Sequence, residues 1–75
     1  MTRMWEVRAA PGRMEELLAH VLAVAPSAAT VYRDAGADGR VVVVDPTGVG
    51  VTDVPSELVA GPPHGWDFEP VPRRP

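Results

Sequence analysis

Residues 28–45 read Ala28-Ala29-Thr30-Val31-Tyr32-Arg33-Asp34-Ala35-Gly36-Ala37-Asp38-Gly39-Arg40-Val41-Val42-Val43-Val44-Asp45, and this stretch decides the fold. Thr30, Val31 and Tyr32 favour extended backbone, as do the four valines, because β-branched and aromatic side chains fit a pleated surface. Between them, Ala35-Gly36-Ala37-Asp38-Gly39 is turn chemistry. Residues 28–34 and 40–45 therefore read as the two strands of a β-hairpin. Four consecutive valines offer apolar groups to both sides of one strand, which predicts a strand inside the sheet with both faces covered.

Upstream, the period changes to that of a helix. At 100° per residue, Met14, Leu17, Leu18, Val21, Leu22, Val24 and Ala25 fall within about 160° of arc, leaving Glu15, Glu16, Ala19, His20 and Ala23 on the other side. Acids in the first turn suit the positive end of a helix, and Pro26-Ser27 stops the run. The spacing predicts a helix over 13–25. Before it, Pro11-Gly12 breaks an alternating segment, 4–10. That segment places Trp5, Val7 and Ala9 on one face of a strand and Met4, Glu6, Arg8 and Ala10 on the other.

Downstream, residues 45–52 are irregular and rich in glycine. Pro55 fits the first position of a short helix over 55–60 that Gly61 would end, and Pro62-Pro63 forbids continuation. Residues 66–71 alternate again, with Trp66 and Phe68 on one face and Asp67 and Glu69 on the other. Residues 72–75 read as a frayed tail. The order β-α-β-β-(short α)-β, with one substantial helix, predicts a ferredoxin-like α+β sandwich: a four-stranded antiparallel sheet, one long helix and a vestigial second one.

Seventy-five residues form one domain, 1–75. The absence of Cys removes disulfide scaffolds, thiolate metal sites and Cys nucleophiles. Seven basic against ten acidic residues give a net charge of −3, which argues against a nucleic-acid partner. Charged residues near Met1 stand where a secretory signal would need an apolar run, and the run 21–25 is too short to span a bilayer, so a cytoplasmic protein without membrane contact is expected. The bias toward Ala, Gly, Pro, Arg and Val, with Lys, Asn, Gln and Ile absent, points to a GC-rich bacterial genome. A chain of this size buries only about 60% of its unfolded surface, and pairing with a second copy is the simplest remedy. A homodimer is expected.

The string Trp5-Glu6-Val7-Arg8-Ala9-Ala10-Pro11-Gly12-Arg13, followed by Glu15-Glu16-Leu17-Leu18, resembles the opening of the dimeric α/β-barrel superfamily, which includes the antibiotic-biosynthesis-monooxygenase-like group. The hairpin from Val31-Tyr32-Arg33-Asp34 to Gly39-Arg40-Val41-Val42-Val43-Val44 is similar to its second and third strands. The resemblance covers residues 4–45 and implies a sheet-to-sheet dimer. Asp45-Pro46 stands where the family usually places a Trp, an acid and a Ser. The Asn-Trp-His constellation of some members cannot be assembled, since the chain has no Asn. What the resemblance implies is the fold rather than a catalytic set.

Three groups of side chains could carry chemistry. His20 lies one turn after Glu16 and reads as a solvated i,i+4 pair or as a base oriented by a carboxylate. His64, in Pro62-Pro63-His64-Gly65-Trp66, sits in a loop fixed by prolines where Gly65 permits close approach. With Trp66 it offers an aromatic stack beside a titratable imidazole, while the plainer reading has Trp66 filling core space left by the short second helix and His64 capping a turn. The spacing of His20 and His64 has no metal-ligand signature, and neither a metal nor a cofactor is expected. Glu6, Arg8, Tyr32 or Arg33, and Asp67 with Glu69 would line the sheet face away from the helix, either as the polar lining of a pocket between two sheets of a dimer, or as a charge-laddered interface or a plain solvated face. Gly48-Val49-Gly50 lacks the length and the Lys of a phosphate loop.

The leading reading is a homodimeric ligand-binding or interaction module, taking a small hydrophobic ligand or another protein; a further reading is a protein that stabilises an assembly by binding its partner through segment 46–54. The resemblance implies an alternative, a cofactor-independent monooxygenase or cyclase acting on an aromatic or polyketide-like substrate. Its chemistry would rest on His64, Trp66 or Tyr32.

Overall fold

The structure, a computed structural model, describes residues 1–73. Its elements run β1 (Thr2–Arg8), α1 (Met14–Val24), β2 (Thr30–Arg33), β3 (Arg40–Asp45), a 3₁₀ turn (Ser56–Leu58) and β4 (His64–Phe68). The strands form one sheet in the order β2-β3-β1-β4, with every neighbouring pair antiparallel. This is the ferredoxin-like α+β order expected from the sequence. Of the expected tail, residues 72 and 73 carry no regular structure and 74–75 lie outside the described residues.

Strand alternation builds the core. Trp5 pairs with Val43 and Val7 with Val41, while Val43 also faces Val31 on β2. Residues directly opposite one another in an antiparallel pair share a face. Trp5, Val7, Val41 and Val43 therefore form one apolar layer, and Leu17 and Val21 of α1, one helical turn apart, close over it. Val51 and Leu58 complete the buried set. Full burial of each such side chain contributes about 1.5–3 kcal/mol relative to exposure.

Helix α1 starts after Arg13, whose guanidinium donates to Glu16 at 2.6 Å. It ends at Ala25, held extended (ψ 144°) by the proline that follows. Its buried stripe is narrower than the arc drawn from sequence: Leu22 is 65% and Val24 46% exposed. Of the helix residues, only Leu17 and Val21 are fully enclosed.

The glycine-rich connection after β3 is anchored to the domain's own core. Asp45 is buried, and its carboxylate accepts hydrogen bonds from Thr47 N and Oγ1, Val49 N and Gly50 N at 2.7–3.0 Å. The Gly50 N–H does most to hold the Asp45 carboxyl below its ordinary value, against the opposing cost of burial; the Thr47 hydroxyl and the Thr47 and Val49 amides add to the lowering. Gly50 itself needs φ +71°, and a Cβ there would stand 2.8 Å from Arg3 Cγ. The loop then sends Val51 inward, and His20 Nε2 bonds the carbonyl of Asp53 at 2.9 Å. Within segment 46–54, Gly50 and Val51 are buried, while Pro46, Thr47, Val49, Thr52 and Asp53 stay exposed. The expected helix over 55–60 is only the 3₁₀ turn, which places Leu58 in the core.

Candidate functional site

On β1, the residues that alternate with Trp5 and Val7 point away from α1: Thr2, Met4, Glu6 and Arg8. The register carries this face across the sheet. Met4 lies between Val44 and Trp66, Glu6 between Val42 and His64, and Thr2 beside Phe68. Val42 in turn faces Tyr32, and Arg8 faces Arg40. No described helix or strand covers this side. Tyr32 is 54%, Trp66 47% and Phe68 48% exposed, with Met4, Val42 and Val44 half-buried among them.

The expectation that both faces of the four-valine strand are covered holds for one face only. Val41 and Val43 are fully buried under α1, whereas Val42 and Val44 look out of the open side. The assignment of β4 is also corrected. Asp67 does not share a face with Glu6 and Arg8; it pairs with Arg3 on the helix side, and its carboxylate takes the Arg3 guanidinium at 3.2 Å. Trp66 fills no core space and stands beside Met4 on the open face. The physical reason is that the missing second helix leaves no apolar layer above β4 for Trp66 to join. On the helix side of β4, Arg3 lies so near Gly65 that a Cβ there would meet Nη2 at 2.6 Å, while Gly65 and Asp67 stay exposed. This is the close approach expected of Gly65.

One end of the open face is apolar and the other is charged. The His64 and Trp66 rings stack with centroids 6.2 Å apart and planes at 22°, so His64 belongs to the aromatic surface instead of capping a turn. Arg40 Nε lies 3.7 Å from Glu6 Oε2. A depression of about 260 Å³ opens at this end, lined by Glu6, Arg8, Arg40 and His64, with Ala60 to Pro62 as its rim. A second of about 260 Å³ lies on the far side of Arg40, against Tyr32 and Val42. The rim is fixed by backbone: Ala60 N donates to the Arg8 carbonyl at 2.8 Å and Ala10 N to the Leu58 carbonyl at 2.9 Å.

Five of the candidate residues therefore meet on one face: Glu6, Arg8, Tyr32, His64 and Trp66. Asp67, Arg33 and His20 do not, since Arg33 shares the Val41 face and His20 sits on the helix. A joint His20–His64 metal site has no geometric basis, because the two lie on opposite sides of the sheet. Sequence reasoning missed Arg40, Met4 and Phe68. Their signal was the parity of antiparallel pairing once Trp5 is set inward. It also missed Asp45, which Asp-Pro-Thr-Gly marks as a side chain that hydrogen-bonds the backbone just beyond it. No family model, curated protein or solved structure matches the chain.

Proposed function

We propose that the chain acts in the cytoplasm as a homodimer whose open sheet faces meet and enclose a site for a small hydrophobic ligand. The reading rests on one observation: Met4, Tyr32, Val42, Val44, Trp66 and Phe68 form an apolar cluster on a face without a covering element among the described residues. Clusters of this kind mark interaction surfaces. Every residue of β4 is exposed, so this strand has most to gain from a second layer. The prolines at 62, 63 and 70 flank β4 and oppose pairing along its edge, which favours contact through the face. The same face carries charges of both signs in Arg40 and Glu6, which can meet their counterparts across a two-fold axis. Kinship with the dimeric α/β-barrel superfamily is part of this proposal.

Sedimentation equilibrium tests it. A dimer is expected at micromolar concentration, and Trp66→Glu is expected to give a folded monomer with unchanged far-ultraviolet dichroism. A wild-type monomer that still unfolds cooperatively overturns the reading. The catalytic alternative draws on His64, which faces Glu6 across β1 and β4. However, the nearest cation to the Glu6 carboxylate is Arg40, so His64 would act without an orienting carboxylate.

A further inference from the structure

We infer that the charged end of the open face is an anion site, and that the ligand is a small aromatic carboxylate whose ring lies toward Trp66. This deepens the preceding proposal and rests on its reading of the face as ligand-binding. Arg8 and Arg40 stand directly opposite each other on β1 and β3 and point to the same side. Like charges so placed repel, and sheets avoid them unless something offsets the repulsion. Glu6 offsets one of them through Arg40. Arg8 has no ion-pair or side-chain hydrogen-bond partner among the described residues, although its backbone is held by Ala60 and by the β1–β3 ladder. A fixed backbone carrying a free guanidinium beside a depression suits a planar carboxylate, which a guanidinium can bind through two parallel hydrogen bonds.

The surroundings set the rest of the ligand. His64 lines the same depression and stacks on Trp66, so the aromatic surface begins where the charged one ends. A volume of about 260 Å³ is just below the usual range for small-molecule pockets and suits a single ring with a short acidic group. Glu6 opposes a ligand with several negative charges, which favours a monocarboxylate over a polyphosphate.

The test compares benzoate with benzamide, its neutral isostere, by calorimetric titration of the full chain at low ionic strength. Benzoate is expected to bind about tenfold more tightly, the worth of a charge-assisted hydrogen bond, with an advantage that shrinks as salt is added. Arg8→Gln is expected to bring benzoate down to the benzamide level and to leave the sedimenting species unchanged. Arg13→Gln, on the helix, is expected to change neither. Equal affinity of the wild type for both probes overturns the anion site while leaving an apolar pocket in place. Binding of neither probe by a protein that still sediments as a dimer also overturns the inference, and the dimer then stands alone. If Arg8→Gln dissociates the dimer and spares benzoate affinity, Arg8 is an interface residue and the inference fails.

Discussion

The two faces of the sheet are made by the same strands and from similar side chains, yet they end in different states. Trp5, Val7, Val41 and Val43 disappear beneath α1, while Trp66, Met4, Val42 and Val44 stay partly open to water. The difference lies in the cover rather than in the strands. The chain carries apolar material for two buried layers but only one helix long enough to close a layer. The connection that would have held a second helix shrinks to a 3₁₀ turn, and on the helix side of β4 Arg3 lies against Gly65 and Asp67, which stay exposed. A sheet built this way has one face finished by its own chain and another without a covering element among the described residues.

The two tryptophans, one on each face, give the sharpest way to break this comparison. Trp5→Ala should cost about 3–5 kcal/mol, as removal of a buried large aromatic does. Domain stabilities run near 0.05–0.15 kcal/mol per residue, so a chain of this length has roughly 4–11 kcal/mol in total. The variant should lose between about a quarter and all of that stability, seen as a large fall in its urea midpoint. Trp66→Ala should cost under about 1 kcal/mol when urea denaturation is followed at concentrations too low for association, and should abolish association at higher ones. If dilute Trp66→Ala loses as much stability as Trp5→Ala, the open face is part of the core and the contrast collapses.

Asp45 sharpens the comparison from the finished side, because it locks the loop that brings Val51 under the sheet. Its folded-state pKa lies below the ordinary 3.8, chiefly through the Gly50 N–H. The folded protein therefore binds fewer protons at this site than the unfolded chain does. The stabilisation is complete above the ordinary value and is lost as pH falls through it toward the lower folded value. Denaturation midpoints of wild type and Asp45→Asn, measured across the acid range, should converge as pH drops. Asn also turns an N–H₂ toward amide donors, so the variant should be the weaker protein at neutral pH. A gap between the two that stays constant down to the lowest pH would mean that the loop does not depend on the charge.

How far the sequence reveals this depends on which residues are read. The four-valine run, the Pro-Gly break and the helical spacing of Leu17 and Val21 are enough for the order and antiparallel nature of the elements, because each is a local pattern. Which face β4 turns inward is not local. Its alternation is plain in the sequence, but alternation is symmetric, and only the pairing of Met4 with Trp66 decides the direction. The usual preference would put Trp66 inside. Here it loses because nothing apolar lies above β4 to receive it, which is a consequence of the short 55–60 connection. Arg40 was hidden for a related reason: its meaning comes from Arg8 opposite it on another strand, more than thirty positions away in the chain. The site is legible as a set of residue types and becomes a site only through register.

His20 marks an effect confined to one loop and keeps the two sides apart. It was a candidate for chemistry, but its Nε2 bonds the Asp53 carbonyl on the helix side of the sheet. The group is partly exposed and the bond is a single one, so His20→Ala should cost about 0.5–1.5 kcal/mol, the ordinary worth of a protein hydrogen bond. The loss should show in amide exchange as faster opening of the loop after β3, with little change elsewhere. Association and benzoate affinity should stay at wild-type values, because the sheet separates His20 from the open face. A change in either would mean that the helix side and the open side communicate through β1, and the division of labour between the two faces would have to be withdrawn.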